Sequence, residues 1–273
     1  MKITYLGTNT LLFCKDQASL LIDPHFTRPG KLNLLSKIRP KPEIIAENLA
    51  RFGIRKLEGV LLTHTHYDHA LDAVEVIRQV GGVLYGSASA VHLARGASLD
   101  EQTCVQVGHG QACTIDKFQV HFHPARHVSF PIPMRWLMPA DGKITQPITP
   151  PAWFWRYQAG ETFAIQVEQT LVFGSAGFVA GAYQDLQIET VILGIGGLDL
   201  KSPRYLDQLY RETVLSTGAK QVFLSHWDDF FRPVEKPLTS MRFSRRSMAR
   251  ISELGARYGQ TVQQLEYSRP LEI

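Results

Sequence analysis

Between residues 63 and 69 the chain reads Thr-His-Thr-His-Tyr-Asp-His, directly after the apolar run Gly59-Val60-Leu61-Leu62. No other feature restricts the fold as tightly. An apolar run of that length forms a buried strand, and His64 and His66, two apart, send their rings to one side of extended backbone. From Asp68 to Gln79 the pattern turns helical, with Ala70, Ala73, Val74 and Ile77 on one face and Asp72, Glu75 and Arg78 on another. The Gly81-Gly82 pair ends that helix. The histidines therefore sit where a buried strand gives way to a helix, and His64, His66, Asp68 and His69 can surround one or two cations. Imidazole and carboxylate suit zinc, manganese or iron better than magnesium or calcium. The competing reading is a polar strand end with solvated histidines, and the density of donors disfavours it.

The rest of the chain alternates strands and helices. Ile3–Leu6, Thr10–Phe13 and Ser19–Ile22 read as a meander, followed by a helix from Pro42 to about Phe52. Strands are expected at Val83–Tyr85, Thr103–Val107, Gln119–Phe122, Thr162–Val167, Thr170–Phe173 and Gln221–Leu224. Helices are expected near Ala88–Ala94, over Ser202–Ser216 and over Phe243–Tyr258. Gly59–His64 and Gln221–His226 echo each other, which suggests a duplicated β/α unit with its strand ends meeting at a shared edge. Residues 129–158 differ, holding six of the fifteen prolines and Trp136, Trp153 and Trp155. Proline at that density favours a long semi-rigid loop.

Composition excludes several classes. Apolar residues are 44% and charged residues 20% of 273, an ordinary globular balance that rules out disorder. No apolar stretch approaches the ~18 residues of a membrane span. Three scattered cysteines make no disulfide framework and favour a reducing, cytoplasmic setting. A net charge of +4 does not argue for nucleic acid. One domain over residues 1–273 is the simplest organisation.

The run His64-x-His66-x-Asp68-His69 matches the H-x-H-x-D-H motif and resembles the metallo-β-lactamase-fold hydrolases. Its context is similar to the branch containing L-ascorbate-6-phosphate lactonase and N-acyl-phosphatidylethanolamine phospholipase D. The matching segments are Met1–Thr10, Leu20–Pro24, Pro124–His127, Leu171–Gly177, Gly194–Gly197 and Leu224–His226. The resemblance implies a four-layer αββα sandwich of two β/α halves, with the metal site at the shared sheet edge. It implies a first site of His64, His66 and His127, like the three-histidine arrangement of catalytic zinc, and a second of Asp68, His69 and His226. His123 competes with His127 for its place, and Asp23 would orient a ligand ring or simply serve the turn before Pro24. His121 is expected to pack.

One departure stands out. Where two-metal members carry a bridging aspartate, this chain has Ser175, and a neutral hydroxyl bridges two dications poorly. The expectation is one tight cation, with the second weak or absent; Asp228 or Asp229 either reaches in to compensate or caps the next segment. A bound dication would lower the pKa of its water towards ~7, and Asp68 would pass its proton to the leaving group. The Trp-rich loop is expected to wall the site or to make a subunit contact, and the four arginines 242, 245, 246 and 250 to form a solvated basic face. The function expected is hydrolysis of a small ester, lactone or phosphodiester, with a small-molecule substrate and compatibility with a homo-oligomer. The alternatives are a nuclease and a non-catalytic metal-binding or sensor protein in which Ser175 marks lost activity.

Overall fold

In the computed structural model, which describes residues 1–129, 141–242 and 244–273, each half of the chain begins as an antiparallel meander and continues with parallel strands. The first half supplies β1 (Lys2–Tyr5), β2 (Leu11–Lys15), β3 (Ala18–Ile22), β4 (Gly59–Leu61), β5 (Val83–Gly86) and β6 (Cys104–Gln106). Pairing is antiparallel from β1 to β3 and parallel from β3 to β6. The second half repeats the scheme with β7 (Gln111–Ile115), β8 (Phe118–Ala125), β9 (Thr162–Val167), β10 (Thr170–Phe173), β11 (Thr190–Gly194), β12 (Gln221–Ser225) and β13 (Thr261–Gln264). Here β7 to β10 are antiparallel and β10 to β13 parallel. The chain then returns as β14 (Pro270–Glu272) to pair with β1, so the described residues form two seven-stranded sheets.

The sheets face each other across Phe13, Leu20, Phe122, Phe163 and Phe173, all fully buried. Helices α1 (Pro42–Arg51), α2 (Tyr67–Ala70), α3 (Ala73–Val80) and α4 (Ala88–Gly96) cover the first sheet, where Ile45, Val60, Val76 and Leu84 make a second core. On the other side Leu206, Leu209 and Ile251, from α5 (Pro203–Tyr210) and α6 (Arg245–Tyr258), join the inter-sheet core. This is the expected αββα sandwich, formed because each sheet carries apolar side chains on both faces. Arg250 joins α6 to α5 by bidentate contacts with Asp207 at 2.7 and 2.9 Å.

Several expectations change in detail. The helix expected over Asp68–Gln79 breaks at Leu71-Asp72, because the Asp72 carboxylate turns away to accept the Phe26 and Thr27 N–H groups at 2.6 and 2.7 Å. The helix expected over Ser202–Ser216 stays α-helical to Tyr210 and then widens over Arg211–Leu215. Strands β7, β11, β13 and β14 go beyond the sequence expectations. Trp136 and Phe243 lie outside the described residues. Residues 141–158 contain one short turn, Phe154–Arg156, and a bridge between Ala152 and Ile38.

Candidate metal centre

The candidate ligands lie where strands of both sheets end. His64 and His66 follow β4, and the chain enters α2 at Tyr67, which delivers Asp68 and His69. His127 follows β8 and His226 follows β12. Residues from three separated stretches thereby meet in one place. The His66 ring lies 4.7 Å from that of His64 and 4.3 Å from that of His127, and the His69 ring lies 4.0 Å from His64 and 5.3 Å from His226. The donor atoms of His64, His66 and His127 fall within 4.8 Å of one another, as do those of Asp68, His69 and His226. His123 is elsewhere, with Nε2 2.8 Å from Gln166 Oε1 and its ring stacked on His121.

The spacing suits a small cation. Ligands about 2.0–2.1 Å from a tetrahedral ion stand ~3.3 Å from each other. His64 Nε2 is 3.1 Å from His66 Nδ1, His226 Nε2 is 3.2 Å from Asp68 Oδ2, and His69 Nε2 is 3.5 Å from the same oxygen. Burial, reinforced by the neighbouring imidazoles, holds His64 and His127 well below the usual histidine range and keeps their lone pairs available. Burial opposes ionisation of Asp68, but His69, His226 and His66 outweigh it, so its carboxyl titrates well below the usual range. Burial likewise opposes the charged form of His69, and Asp68 and Asp23 overcome it to raise that pKa.

Asp23, fully buried at the end of β3, organises both donor sets. Its Oδ2 accepts from His69 Nδ1 at 2.7 Å and from Thr63 Oγ1 at 2.5 Å, and its Oδ1 accepts the Thr63 N–H at 2.8 Å. Thr63 Oγ1, its proton committed to Asp23, accepts in turn from His64 Nδ1 at 3.0 Å. One carboxylate thus fixes the tautomers that leave Nε2 of His64 and His69 facing the centre. Asn9 adds a fourth donor to Asp23 at 2.8 Å, while its Oδ1 accepts from Ser225, the residue before His226, at 2.8 Å. Such close approach requires glycine nearby: a Cβ on Gly174 would stand 2.1 Å from Thr63 Oγ1, and one on Gly196 would stand 2.9 Å from the His226 ring.

Ser175 sits beside the first set, its Oγ accepting the Val128 N–H at 3.0 Å, one residue past His127. Asp228 does not reach the centre. It pairs with Arg28 at 2.8 Å, both side chains fully buried, and accepts from Thr8 N–H at 2.7 Å and from the Tyr5 hydroxyl. Asp229 accepts the Phe231 N–H at 3.2 Å and closes the following turn. In the loop, Trp153 and Trp155 stack on each other at 4.6 Å, and Phe154 between them meets Tyr67 at 6.1 Å. Gln158 and Ala159, where that loop ends, accept from the Thr65 hydroxyl at 2.5 and 3.1 Å, which holds the loop against the His64–His66 segment.

Sequence reasoning passed over His25. Its ring is fully buried, has no hydrogen-bond partner on either nitrogen among the described residues, and lies 6.0 Å from Tyr67, whose hydroxyl is equally unpartnered among them. Burial pushes its pKa down to about 3, with Arg28, His69 and His226 adding to the effect against Asp68. Between that value and the unfolded 6.5, the unfolded chain binds a proton that the folded chain refuses. The stability due to neutral His25 is therefore complete above pH 6.5 and declines as pH falls towards 3. Urea unfolding from pH 7 to 5 is expected to lose stability as pH falls, and below ~6 His25→Phe should make that loss shallower by about 1.4 kcal/mol per pH unit.

The family model described as the metallo-beta-lactamase superfamily matches residues 3–156. The chain belongs to that superfamily. A UPF0173 metal-dependent hydrolase of Agrobacterium fabrum is 31% identical over 131 residues, which are 47% of this chain and 49% of that protein. The matched stretch thus spans about half the length of this curated relative. Among solved structures, a metallo hydrolase of the archaeon Ignicoccus hospitalis superposes with a TM-score of 0.60 at 17% identity, covering 100% of this chain and 98% of the other. An isothiocyanate hydrolase from Delia radicum gut bacteria gives 0.59 at 16% identity, covering 100% and 99%. Both share the fold.

Proposed function

We propose that the chain is a metal-dependent hydrolase acting on a small ester, lactone or phosphodiester. The observation that carries this reading is the convergence of five imidazoles and one carboxylate on the strand ends, the donors of each set within 4.8 Å of one another and three pairs 3.1–3.5 Å apart. The curated relative named a metal-dependent hydrolase supports it. The finer affinity with the lactonase and phospholipase D branch rests on the segments that resemble it, and three unpaired cysteines support a reducing, cytoplasmic setting.

His64, His66 and His127 would hold the first cation and Asp68, His69 and His226 the second, with zinc the favoured metal and manganese or iron the alternatives. A divalent cation bound there supplies Lewis acidity and acidifies water at neutral pH. The chain's own contribution is positional. Asp23 aims the rings, and Asp68, kept ionised by its histidine neighbours, takes a proton at its carboxylate and returns it to the leaving group. Tyr67, next to Asp68 in the chain, meets Phe154 at 6.1 Å and Phe230 at 6.5 Å.

Ser175 supports an unequal pair of sites. Its hydroxyl is engaged by Val128 and contributes no negative charge, so the second cation should bind weakly. Ser175→Asp preserves an acceptor for Val128 and restores the missing charge. It is expected to tighten the second cation ~10–100-fold, measured by competition with a chromophoric chelator. Two tight equivalents in the native protein would end the unequal-site idea. Hydrolysis itself is tested with ester, lactone and bis-aryl phosphodiester substrates under added zinc or manganese. Activity abolished by His66→Ala supports the enzyme. Silence with every metal and substrate favours a non-catalytic binding protein.

A further inference from the structure

A second feature of the surface lies outside the donor sets. Leu32 and Leu35, in the short turn Lys31–Leu35, are 80% and 78% exposed, and Trp155 is 40% exposed. These are three of the five large apolar residues that stand in solvent among the described residues. The turn belongs to a stretch of unusual charge. Between Asp23 and Glu43 there is no acidic residue, while Lys31, Lys37, Arg39 and Lys41 all fall there besides the buried Arg28. None of those four has an acidic partner within 4 Å among the described residues. The stretch is fastened to the tryptophan segment by paired Ile38 and Ala152 hydrogen bonds at 2.8 and 2.9 Å, and Arg156 follows Trp155, also exposed.

Two phenylalanine rings connect Lys31 to the candidate metal centre. Lys31 Nζ lies 5.4 Å over the Phe231 ring, Phe231 meets Phe230 in a tilted contact at 4.3 Å, and Phe230 meets His226 at 5.4 Å.

We propose that the surface carrying Leu32, Leu35 and Trp155 docks on an anionic lipid bilayer. Leucine tips and an indole enter the headgroup boundary readily, and lysines and arginines beside them meet lipid phosphates. Other occupants fit less well. A specific protein interface needs ~800 Å² per partner and a core depleted of lysine, whereas here two leucines and one indole stand among cations. A second copy in symmetric contact would set those cations against each other. Docking of this kind does not depend on the hydrolase reading, because neither metal nor substrate takes part.

The test uses the full chain without substrate, mixed with phosphatidylcholine vesicles with and without phosphatidylglycerol. Sedimentation with the anionic vesicles alone, reduced by salt, is the expected result, together with a blue shift of tryptophan emission that Trp155→Phe diminishes. Leu32→Ser/Leu35→Ser is expected to weaken binding roughly a hundredfold, and Lys37→Glu/Arg39→Glu roughly 25-fold or more. Both variants lie on the surface and should keep the unfolding midpoint of the parent. Equal binding to neutral and anionic vesicles, or binding indifferent to the leucine substitutions, would overturn the proposal. So would the absence of vesicle binding alongside self-association in light scattering that the leucine substitutions remove, which would assign the face to contact between copies.

Discussion

Asp68→Asn should lower turnover by ~10²–10⁴-fold and abolish binding of the second cation while leaving the fold intact. The side chain keeps its shape but loses the charge that stands 3.2 Å from His226 Nε2 and 3.5 Å from His69 Nε2. Two consequences combine. The group that accepts and returns the proton disappears, an effect typically worth 10²–10⁴ in rate, and the Asp68, His69, His226 set loses its anion. His69 also loses the partner that contributes most to raising its pKa, so it shifts towards neutrality. Turnover of the best substrate from the hydrolysis panel, measured beside the affinity for the second cation, separates the two. Full turnover with unchanged second-cation affinity would show that Asp68 serves neither role.

The second large effect concerns stability. Asp228→Ala is expected to cost about 3–5 kcal/mol in urea unfolding, because it leaves the fully buried Arg28 guanidinium without its counter-charge. It also strands the Thr8 N–H, while the Tyr5 hydroxyl keeps the Thr8 carbonyl oxygen as its acceptor. Replacing both partners, Arg28→Met with Asp228→Leu, should be less destabilising than Asp228→Ala alone, since no unpaired charge then stays in the interior. A double variant worse than the single would assign the cost to packing instead. The pair also bears on the centre. Thr8, held by Asp228, accepts the His226 N–H at 2.5 Å, and His226 sits at φ +55°. Thr8, Asp23 and Arg28 share that left-handed backbone region. Strain of this kind persists only where surrounding contacts over-determine it, so loosening Asp228 should weaken cation binding at the second set as well.

The sequence makes the centre legible because strand, motif and helix are contiguous from Gly59 to His69. A reader needs only strand periodicity and ligand chemistry there. His226 is legible for the same reason, following the apolar run Gln221–Leu224. What periodicity cannot show is what a side chain meets across the fold. Asp72 reads as an exposed helix position, yet it breaks the helix to hold Phe26 and Thr27, 46 and 45 residues away in sequence. Asp228 lies close enough to His226 in sequence to suggest a ligand, yet its partner is Arg28, from the other half of the chain. His25 carries no pattern at all, and only its burial without a partner marks it. Edge strands β13 and β14 escape because their side chains are largely exposed, so no apolar alternation announces them. Asn9, the side chain that ties Asp23 to Ser225, sits in what reads as an ordinary turn.

Cobalt titration of the metal-stripped protein tests the central claim most directly, because tetrahedral and octahedral cobalt absorb with very different strengths. The account predicts one tightly held equivalent with the intense visible bands of a low-coordinate imidazole site, lost in His64→Ala and also in His127→Ala, which lies 63 residues further along the chain. Weak octahedral bands, or bands that survive His127→Ala unchanged, would contradict a centre built from separated stretches of the chain.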